Sequence, residues 1–399
     1  MLTPEYMLTV TNGAENAAAE LHNRVIQLIV ARIMARLDRD ADYILTPIDK
    51  YNIQTLQEQG ELLKDIKAEL VKATGLTAKV IAQAFKEAGV ENLKFDNKLY
   101  KDVGLPVPET KMSPAVQRAM QRDYEATMHS FENYTRTMAS DAQTLYKTEC
   151  DAAYLNVKSG AMGSQQAVAA AVKNLSEANI TAVHYDSGHK DSIEVATARA
   201  VRTGIIQSSA QVTLERMKEM GVDLVLTSAH YGARPSHEEW QGQVFHVDWA
   251  TLDIYAAFTK QDTIPEPETE SKYPDFVKST RYGFVDGLCG ANCRHSISPY
   301  FEGKKNPYAD FDHEKSKEIW QLEQKQRAME RAIRKTKKEK AVYQTAMEKA
   351  ENESTREAMK AEYKKVTERL KEQNKKYYDF CEENNLRPAD NRLSIPKES

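Results

Sequence analysis

Histidine and cysteine residues are concentrated in one part of this 399-residue chain. Six of the nine histidines and two of the four cysteines lie between His184 and His295. Imidazole and thiolate groups bind metal ions, and imidazole also transfers protons near neutral pH. The clustering predicts that this stretch carries whatever chemistry the chain performs.

The first candidate site is the segment Cys289-Gly-Ala-Asn-Cys293-Arg-His295. A structural zinc site needs four ligands in a tetrahedron, and three potential ligands lie here within seven residues. His237 or His230 would supply the fourth. The spacing is not one of the common zinc templates. Cys289, Cys293, His295 and His237 therefore form a candidate structural zinc site, and the alternative is a glycine-rich turn with two buried, reduced cysteines and a hydrogen-bonded histidine.

A second polar cluster occupies residues 228–245 and follows the apolar segment Val222–Leu226. Arg234, His237 and Glu238 have the side chains needed for acid–base work on a phosphodiester. The helical metalloprotease motif is absent because a glutamine stands where its second histidine is required. The alternative interpretation is that arginine and histidine brace a loop while aromatic side chains fill the core. We predict no enzymatic activity and keep a His/Arg-dependent nuclease or hydrolase as the alternative.

A third candidate is a basic decamer near the C-terminus. The net charge of −4 favours no general attraction to nucleic acid, but residues 331–340 contain six basic residues and one acidic residue. Such a run could contact phosphate, although charged helices are often only solvated. The candidate nucleic-acid contacts are Arg331, Arg334, Lys335, Lys337, Lys338 and Lys340.

Helices are expected to position most of these residues, because the chain has only 16 Gly and 13 Pro and 29% charged residues. An aromatic and methionine stripe recurs every seven residues between Pro114 and Tyr154, which predicts a long helix with a packing seam. Gly89 is expected to end the third helix and Gly221 a later one. The predicted helices cover 14–37, 51–73, 78–88, 114–154, 164–174, 190–220 and 312–350, with another starting at a Ser354–Glu357 capping box, and the predicted strands cover 181–184 and 222–226.

These elements predict a mainly helical α+β fold. A compact α+β domain would be flanked by long helices and by a C-terminal helical hairpin or coiled-coil arm. The expected domains are an N-terminal helical region at 1–158, the α+β domain at 159–311, the arm at 312–385 and a mobile polar tail at 386–399.

Several protein classes are inconsistent with the sequence. Four cysteines in so long a chain do not form a disulfide framework. The N-terminus lacks the basic and apolar regions of a secretory signal, and the most apolar stretch is too short to span a membrane. We expect a soluble protein made in the cytoplasm, with no membrane partner.

Two groups of motifs resemble tailed-phage minor head proteins. The segment Arg234-Pro-Ser-His237 and the late Cys-Arg turn resemble the phage Mu-type minor head domain, and the wider context over about residues 164–303 resembles the phage minor capsid protein 2 family. The motif positions in this sequence are Arg234, His237, Trp240, Gly242, Phe245, Gly283, Cys289 and Cys293–His295, and the context comprises Tyr185–His189, Arg199–Gly204 and Ser228–Arg234.

The resemblance implies a virion structural protein present in few copies, in the capsid interior or at the portal vertex, after assembly in the host cytoplasm. Its expected partners are the portal, the major capsid protein or both, packaged DNA, and further copies bound through the helices. Mu-type domains tend to close with Cys-Arg-Cys, whereas this chain has Cys293-Arg-His295. A zinc site would survive that change, but a disulfide through this position would not.

Overall fold

The computed structural model describes residues 1–38, 47–107, 113–178, 180–252 and 270–393. They form two compact units. The first unit contains residues 1–14, 78–130 and 198–324, and the second contains residues 15–77, 131–197 and 325–399. Each unit is assembled from three separated stretches of the chain. The four consecutive domains expected from the sequence therefore stay a prediction.

Helices dominate the described residues, and the strands are short and antiparallel, so the predicted mainly helical α+β class is confirmed. The helices are α1 (Pro4–Thr9), α2 (Asn12–Leu37), α3 (Ile48–Asp102), α4 (Pro114–Lys158), α5 (Ser164–Glu177), α6 (Ile193–Glu219), α7 (Phe276–Thr280), α8 (His313–Lys349), α9 (Glu353–Glu383) and α10 (Asp390–Leu393). The strands are β1 (Val183–His184), β2 (Lys190–Asp191), β3 (Leu224–Thr227), β4 (Val244–His246) and β5 (Ile297–Pro299).

The second and third predicted helices are one helix, α3. Gly75 and Gly89 lie inside it, and the stop expected at Gly89 is wrong. Glycine ends a helix well when its backbone turns left-handed, and neither residue has a positive φ. The stop at Gly221 is confirmed, because this residue has φ +64° and the Val222 N–H bonds to the Met217 carbonyl as in a Schellman cap.

Gly75 and Gly204 are expected to respond in opposite directions to alanine. A Cβ on Gly75 would meet no heavy atom within 4 Å, so Gly75→Ala should stabilise the chain by about 0.5–1 kcal/mol by reducing unfolded-state entropy. A Cβ on Gly204 would clash with Thr127 and with Phe85 Cζ at 2.9 Å, so Gly204→Ala should cost about 1–3 kcal/mol. Urea unfolding of both variants tests this, and equal effects would contradict it.

The first unit has its core between helix α6 and a three-stranded sheet with the order β4-β3-β5. Val225 in the central strand pairs with Phe245 on one side and Pro299 on the other. All four residues of β3 are buried, and the apolar VDLVL segment is a strand as predicted, displaced to Leu224–Thr227. The polar segment after β3 and the polar segment before β5 therefore lie at the same end of one small sheet.

The second unit is built on helix packing. The sequence spacing predicts an apolar stripe on α2 formed by Leu21, Val25, Leu28, Ile29 and Ile33. All of them except the half-buried Leu28 are no more than 3% exposed. Helix α9 packs against α5. The packing seam predicted for α4 is present in this unit, where Phe131, Met138 and Ala142 are buried.

The C-terminal segment departs from the mobile tail that we expected. Residues 386–393 pack in the second unit, and residues 394–399 lie outside the described part of the chain. Leu393 is 3% exposed, the Ala389 N–H donates to Tyr377 Oη over 2.8 Å, and Arg392 pairs with Glu330 at 2.9 Å. A polar composition alone did not reveal these specific contacts.

Candidate functional site

The sheet of the first unit brings the two candidate histidines together. Ser228, directly after β3, exchanges hydrogen bonds with Ser296, directly before β5. The chain after β3 then forms a 3₁₀ turn, Pro235–His237, and Thr227 Oγ1 donates to the carbonyl of Trp240 over 2.7 Å. These bonds fix both ends of the loop that carries His237 beside the segment that ends in His295.

Three of the four predicted zinc ligands form a compact group. His237 Nδ1 lies 3.3 Å from His295 Nδ1, and Cys293 Sγ lies 3.7 Å from the same nitrogen. One ligand atom from each residue lies within 4.8 Å of the others, and all three side chains are buried. The fourth predicted ligand, Cys289, is buried in the preceding turn with φ +60° and is not part of this group.

Burial disfavours charge on each of these groups. Burial first, and the Arg234 guanidinium second, lower the pKa of His237 to about 4. Burial and the neighbouring histidines hold the pKa of His295 well below its usual value. Burial raises the pKa values of the Cys289 and Cys293 thiols. Without a bound cation these side chains are neutral at pH 7.

The Nε2 atoms of His237 and His295 are the outer nitrogens of the pair, and both have hydrogen-bond partners. His237 Nε2 lies 3.0 Å from the carbonyl oxygen of Asp286, and His295 Nε2 lies 3.1 Å from Gln241 Oε1. Trp240 packs against both rings, with ring centroids 4.5 Å from His237 and 4.8 Å from His295. Sequence reasoning missed Gln241 and the Asp286 carbonyl, and no local pattern in the sequence indicates either contact.

The alternative catalytic set is close in sequence but its side chains have separate partners. Arg234 donates to the carbonyl of Ala291, and His237 faces His295. The Glu238 carboxylate is turned away toward a different set of donors. It accepts hydrogen bonds from Gln241 Nε2, Ser316 Oγ and His313 Nδ1 at 2.7, 2.6 and 3.0 Å. These contacts match the bracing interpretation of the three residues.

Part of the basic segment 331–340 in helix α8 holds the C-terminal residues of the second unit. Arg334 Nη1 donates to the carbonyl of Arg392 over 3.1 Å. Lys337 Nζ donates to the carbonyl of Leu393. These two cations serve as caps for backbone carbonyl groups within the unit.

Two further cations of the segment also have partners inside the second unit. Lys338 Nζ lies 2.5 Å from Glu194 Oε1, and both side chains are mostly buried. Lys340 Nζ lies 4.9 Å from the centre of the Tyr363 ring. The remaining two basic residues of the segment are exposed, namely Arg331 and Lys335. The six predicted nucleic-acid contacts therefore do not form one exposed surface.

No described helix is both long enough and apolar enough to cross a membrane.

The comparisons with known proteins agree with the resemblance. The family of phage minor capsid protein 2 matches residues 2–377. A structural protein of Lactococcus phage LL-H is 23% identical over 331 residues, covering 80% of this chain and 84% of the relative. A structural protein of Lactococcus phage mv4 is 34% identical over 76 residues, covering 19% of this chain and 61% of the relative. No solved structure is significantly similar. Because the match extends over nearly the whole sequence, the chain belongs to the phage minor capsid protein 2 family.

Proposed function

We propose that this chain is a minor structural component of a tailed-phage head, which binds the portal or the major capsid protein during assembly in the host cytoplasm and remains in the virion. The observation that carries the proposal is the family match over residues 2–377. The relative that covers most of the chain is itself named a structural protein of a phage. A binding role needs surfaces for partners rather than a reaction centre.

Helix α3 offers a surface suited to a protein partner. Within the second unit it exposes large apolar side chains, and Val71 is 75% exposed. At 100° per residue, Ile53, Leu56 and Val71 share one face of the helix. Val71 lies about 22 Å beyond Leu56 along the helix axis at 1.5 Å per residue, so a partner would contact about four turns of this face. We assign this face to contact with another head protein, and the portal is the first partner to test.

Contact with packaged DNA would involve few residues of the basic segment. Four of the six basic residues in the segment 331–340 have partners in their own unit, so a phosphate contact there would depend on Arg331 and Lys335. Two exposed cations give a shallow salt dependence, because each neutralised phosphate contributes roughly one unit of slope. A nuclease or hydrolase is not proposed, since Arg234, His237 and Glu238 have separate partner sets.

Peptide mass spectrometry on purified particles tests the proposal. The particles should be those of the phage that encodes this chain, with the portal protein as the internal copy-number standard. We expect recovery at a constant ratio to the portal protein through repeated gradient purification. Absence from particles, with abundance in infected cells, would contradict a virion component.

The exposed face of α3 can be tested in the same particles. The double variant Ile53→Asp, Val71→Asp should lower incorporation by at least about tenfold, since each central interface side chain contributes roughly 1–2 kcal/mol. The matched control is Leu155→Asp on α4, a residue that is 60% exposed in the same unit. Circular dichroism of the purified variants checks that they fold. Normal incorporation of the folded double variant would show that this face is not the contact.

A further inference from the structure

The buried histidine pair of the first unit presents two nitrogen atoms to each other. His237 Nδ1 and His295 Nδ1 are separated by 3.3 Å. A neutral imidazole carries one proton, so the partner of the outer nitrogen decides whether the inner nitrogen is a donor or a lone pair. The outer partners of these two rings can be assigned from the hydrogen-bond network.

For His237 the assignment is direct. Its Nε2 lies 3.0 Å from the backbone carbonyl oxygen of Asp286, which only accepts hydrogen bonds. The proton of the neutral ring therefore belongs on Nε2, and Nδ1 carries a lone pair directed at His295.

For His295 the assignment passes through Gln241. Gln241 Nε2 donates to the Glu238 carboxylate over 2.7 Å, and Gln241 Oε1 accepts from the backbone N–H of His230 over 3.2 Å. The amide is therefore oriented with its oxygen toward His295 Nε2, 3.1 Å away. His295 must donate from Nε2, and its Nδ1 also carries a lone pair.

Two lone pairs that face each other in a buried site repel unless a cation lies between them. A third potential metal-ligand atom, Cys293 Sγ, lies 3.7 Å from His295 Nδ1. In a tetrahedral zinc site with bonds of about 2.05 Å to nitrogen and about 2.3 Å to sulfur, two nitrogens are about 3.3 Å apart and nitrogen and sulfur about 3.6 Å apart. The two observed separations agree with both values.

We infer that the first unit binds one Zn²⁺ ion through His237 Nδ1, His295 Nδ1 and Cys293 Sγ, with a water molecule in the fourth tetrahedral position. The Asp286 carbonyl and the Gln241 amide orient the two imidazoles, as outer partners do in zinc sites. The ion joins the loop after β3 to the segment before β5, and Trp240 covers both rings. This inference is independent of the proposed role in the phage head.

The metal content of the full-length chain is the first test. The protein is purified without chelator, dialysed against metal-free buffer and analysed for zinc by mass spectrometry. We expect one zinc per chain. Replacement by Co²⁺ should give a thiolate charge-transfer band in the near ultraviolet and the strong visible bands of a tetrahedral ion. Zinc below a tenth of the chain concentration, with no thiolate band on addition of Co²⁺, would overturn the inference.

A matched pair of cysteine variants tests the ligand set. Cys293 and Cys289 are both buried in the same segment, so Cys293→Ala and Cys289→Ala create similar cavities. Cys293→Ala should lose the cobalt–thiolate band and at least tenfold in zinc affinity, whereas Cys289→Ala should keep the band. Loss of the band in Cys289→Ala together with its retention in Cys293→Ala would overturn the assignment. Circular dichroism monitors folding, and the wild-type cobalt spectrum remains decisive if a variant fails to fold.

Gln241, the hydrogen-bond partner of His295 Nε2, allows an independent test of the zinc site. Gln241→Leu removes the acceptor that orients His295 but leaves all three ligands in place. Zinc affinity is expected to fall by about 10–100-fold while the cobalt–thiolate band is retained. Unchanged affinity would contradict the assigned orientation of His295.

Discussion

Replacement of Lys338 by methionine is expected to destabilise the second unit by about 3–5 kcal/mol. Lys338 Nζ lies 2.5 Å from Glu194 Oε1, and His22 Nδ1 lies 2.9 Å from the other oxygen of the same carboxylate. Burial alone would raise the pKa of Glu194, but the charge of Lys338 and the contact with His22 hold that pKa well below its usual value. Methionine would leave a buried carboxylate without its main counter-ion.

The control for this prediction lies on the same helix. Lys335 is exposed, so Lys335→Met should change the free energy of unfolding by less than about 0.5 kcal/mol. Adding Glu194→Gln to Lys338→Met should recover part of the loss, because the unpaired charge is then removed. Urea unfolding followed by circular dichroism measures all three, and equal effects at Lys335 and Lys338 would contradict the prediction.

The same substitution should change the pH dependence of stability. In the wild type, burial first and the charge of Lys338 second lower the pKa of His22. The unfolded chain therefore binds more protons, and stability decreases as pH falls through about 6.5. Without Lys338, the Glu194 carboxylate favours protonation of His22. The difference in the free energy of unfolding between the variant and the wild type should therefore shrink as pH falls through this range. A constant difference would show that His22 does not titrate with this pair.

Regular periodic patterns allowed much of the fold to be predicted. The stripe in α2 and the seam in α4 identified helices whose apolar faces are buried, because burial of one face dominates helix formation in proteins. Helix ends were harder to predict. Gly89 was expected to end a helix, yet α3 continues through it because tertiary packing outweighs a single unfavourable residue.

The candidate site was only partly predictable for a different reason. His237 and His295 are 58 positions apart, and their contact depends on how β3 and β5 pair. Residue type could nominate both histidines, but it could not separate Cys293, which lies in the cluster, from Cys289, which does not. The same limit applies to the basic segment, where composition cannot distinguish an exposed lysine from Lys338 inside an ion pair.

The start of helix α9 is held by a residue that is distant in sequence rather than by a local capping pattern. The capping box expected at Ser354–Glu357 is wrong, because the helix starts at Glu353 with Asn352 as its N-cap, and the Asn352 side chain makes no capping bond. Asp38, directly after α2, instead binds the two residues that precede the first turn of the helix. Its carboxylate accepts from the N–H groups of Glu351 and Asn352 at 2.6 and 3.1 Å.

Asp38→Ala should therefore destabilise the second unit by about 3 kcal/mol. The side-chain oxygens also accept from Asn352 Nδ2 at 2.9 Å and Thr355 Oγ1 at 2.8 Å, and Asp38 itself is 1% exposed. Each donor left without a partner in a buried place costs about 1–3 kcal/mol, and the helix N-terminus also loses a favourable negative charge. Urea unfolding measures the total loss in the free energy of unfolding. Hydrogen exchange resolved by peptide should show the largest loss of protection in residues 353–358.

Two further variants separate the loss of these hydrogen bonds from a general loss of charge. Asp38→Asn keeps an acceptor oxygen and should cost about half as much as alanine, because neutral acceptors form weaker bonds than carboxylates. Asp65→Ala removes a half-exposed carboxylate that pairs with Arg32 in the same unit, and it should cost no more than about 1 kcal/mol. If Asp65→Ala and Asp38→Ala have equal effects, the loss comes from charge balance, and the start of α9 does not depend on its hydrogen bonds to Asp38.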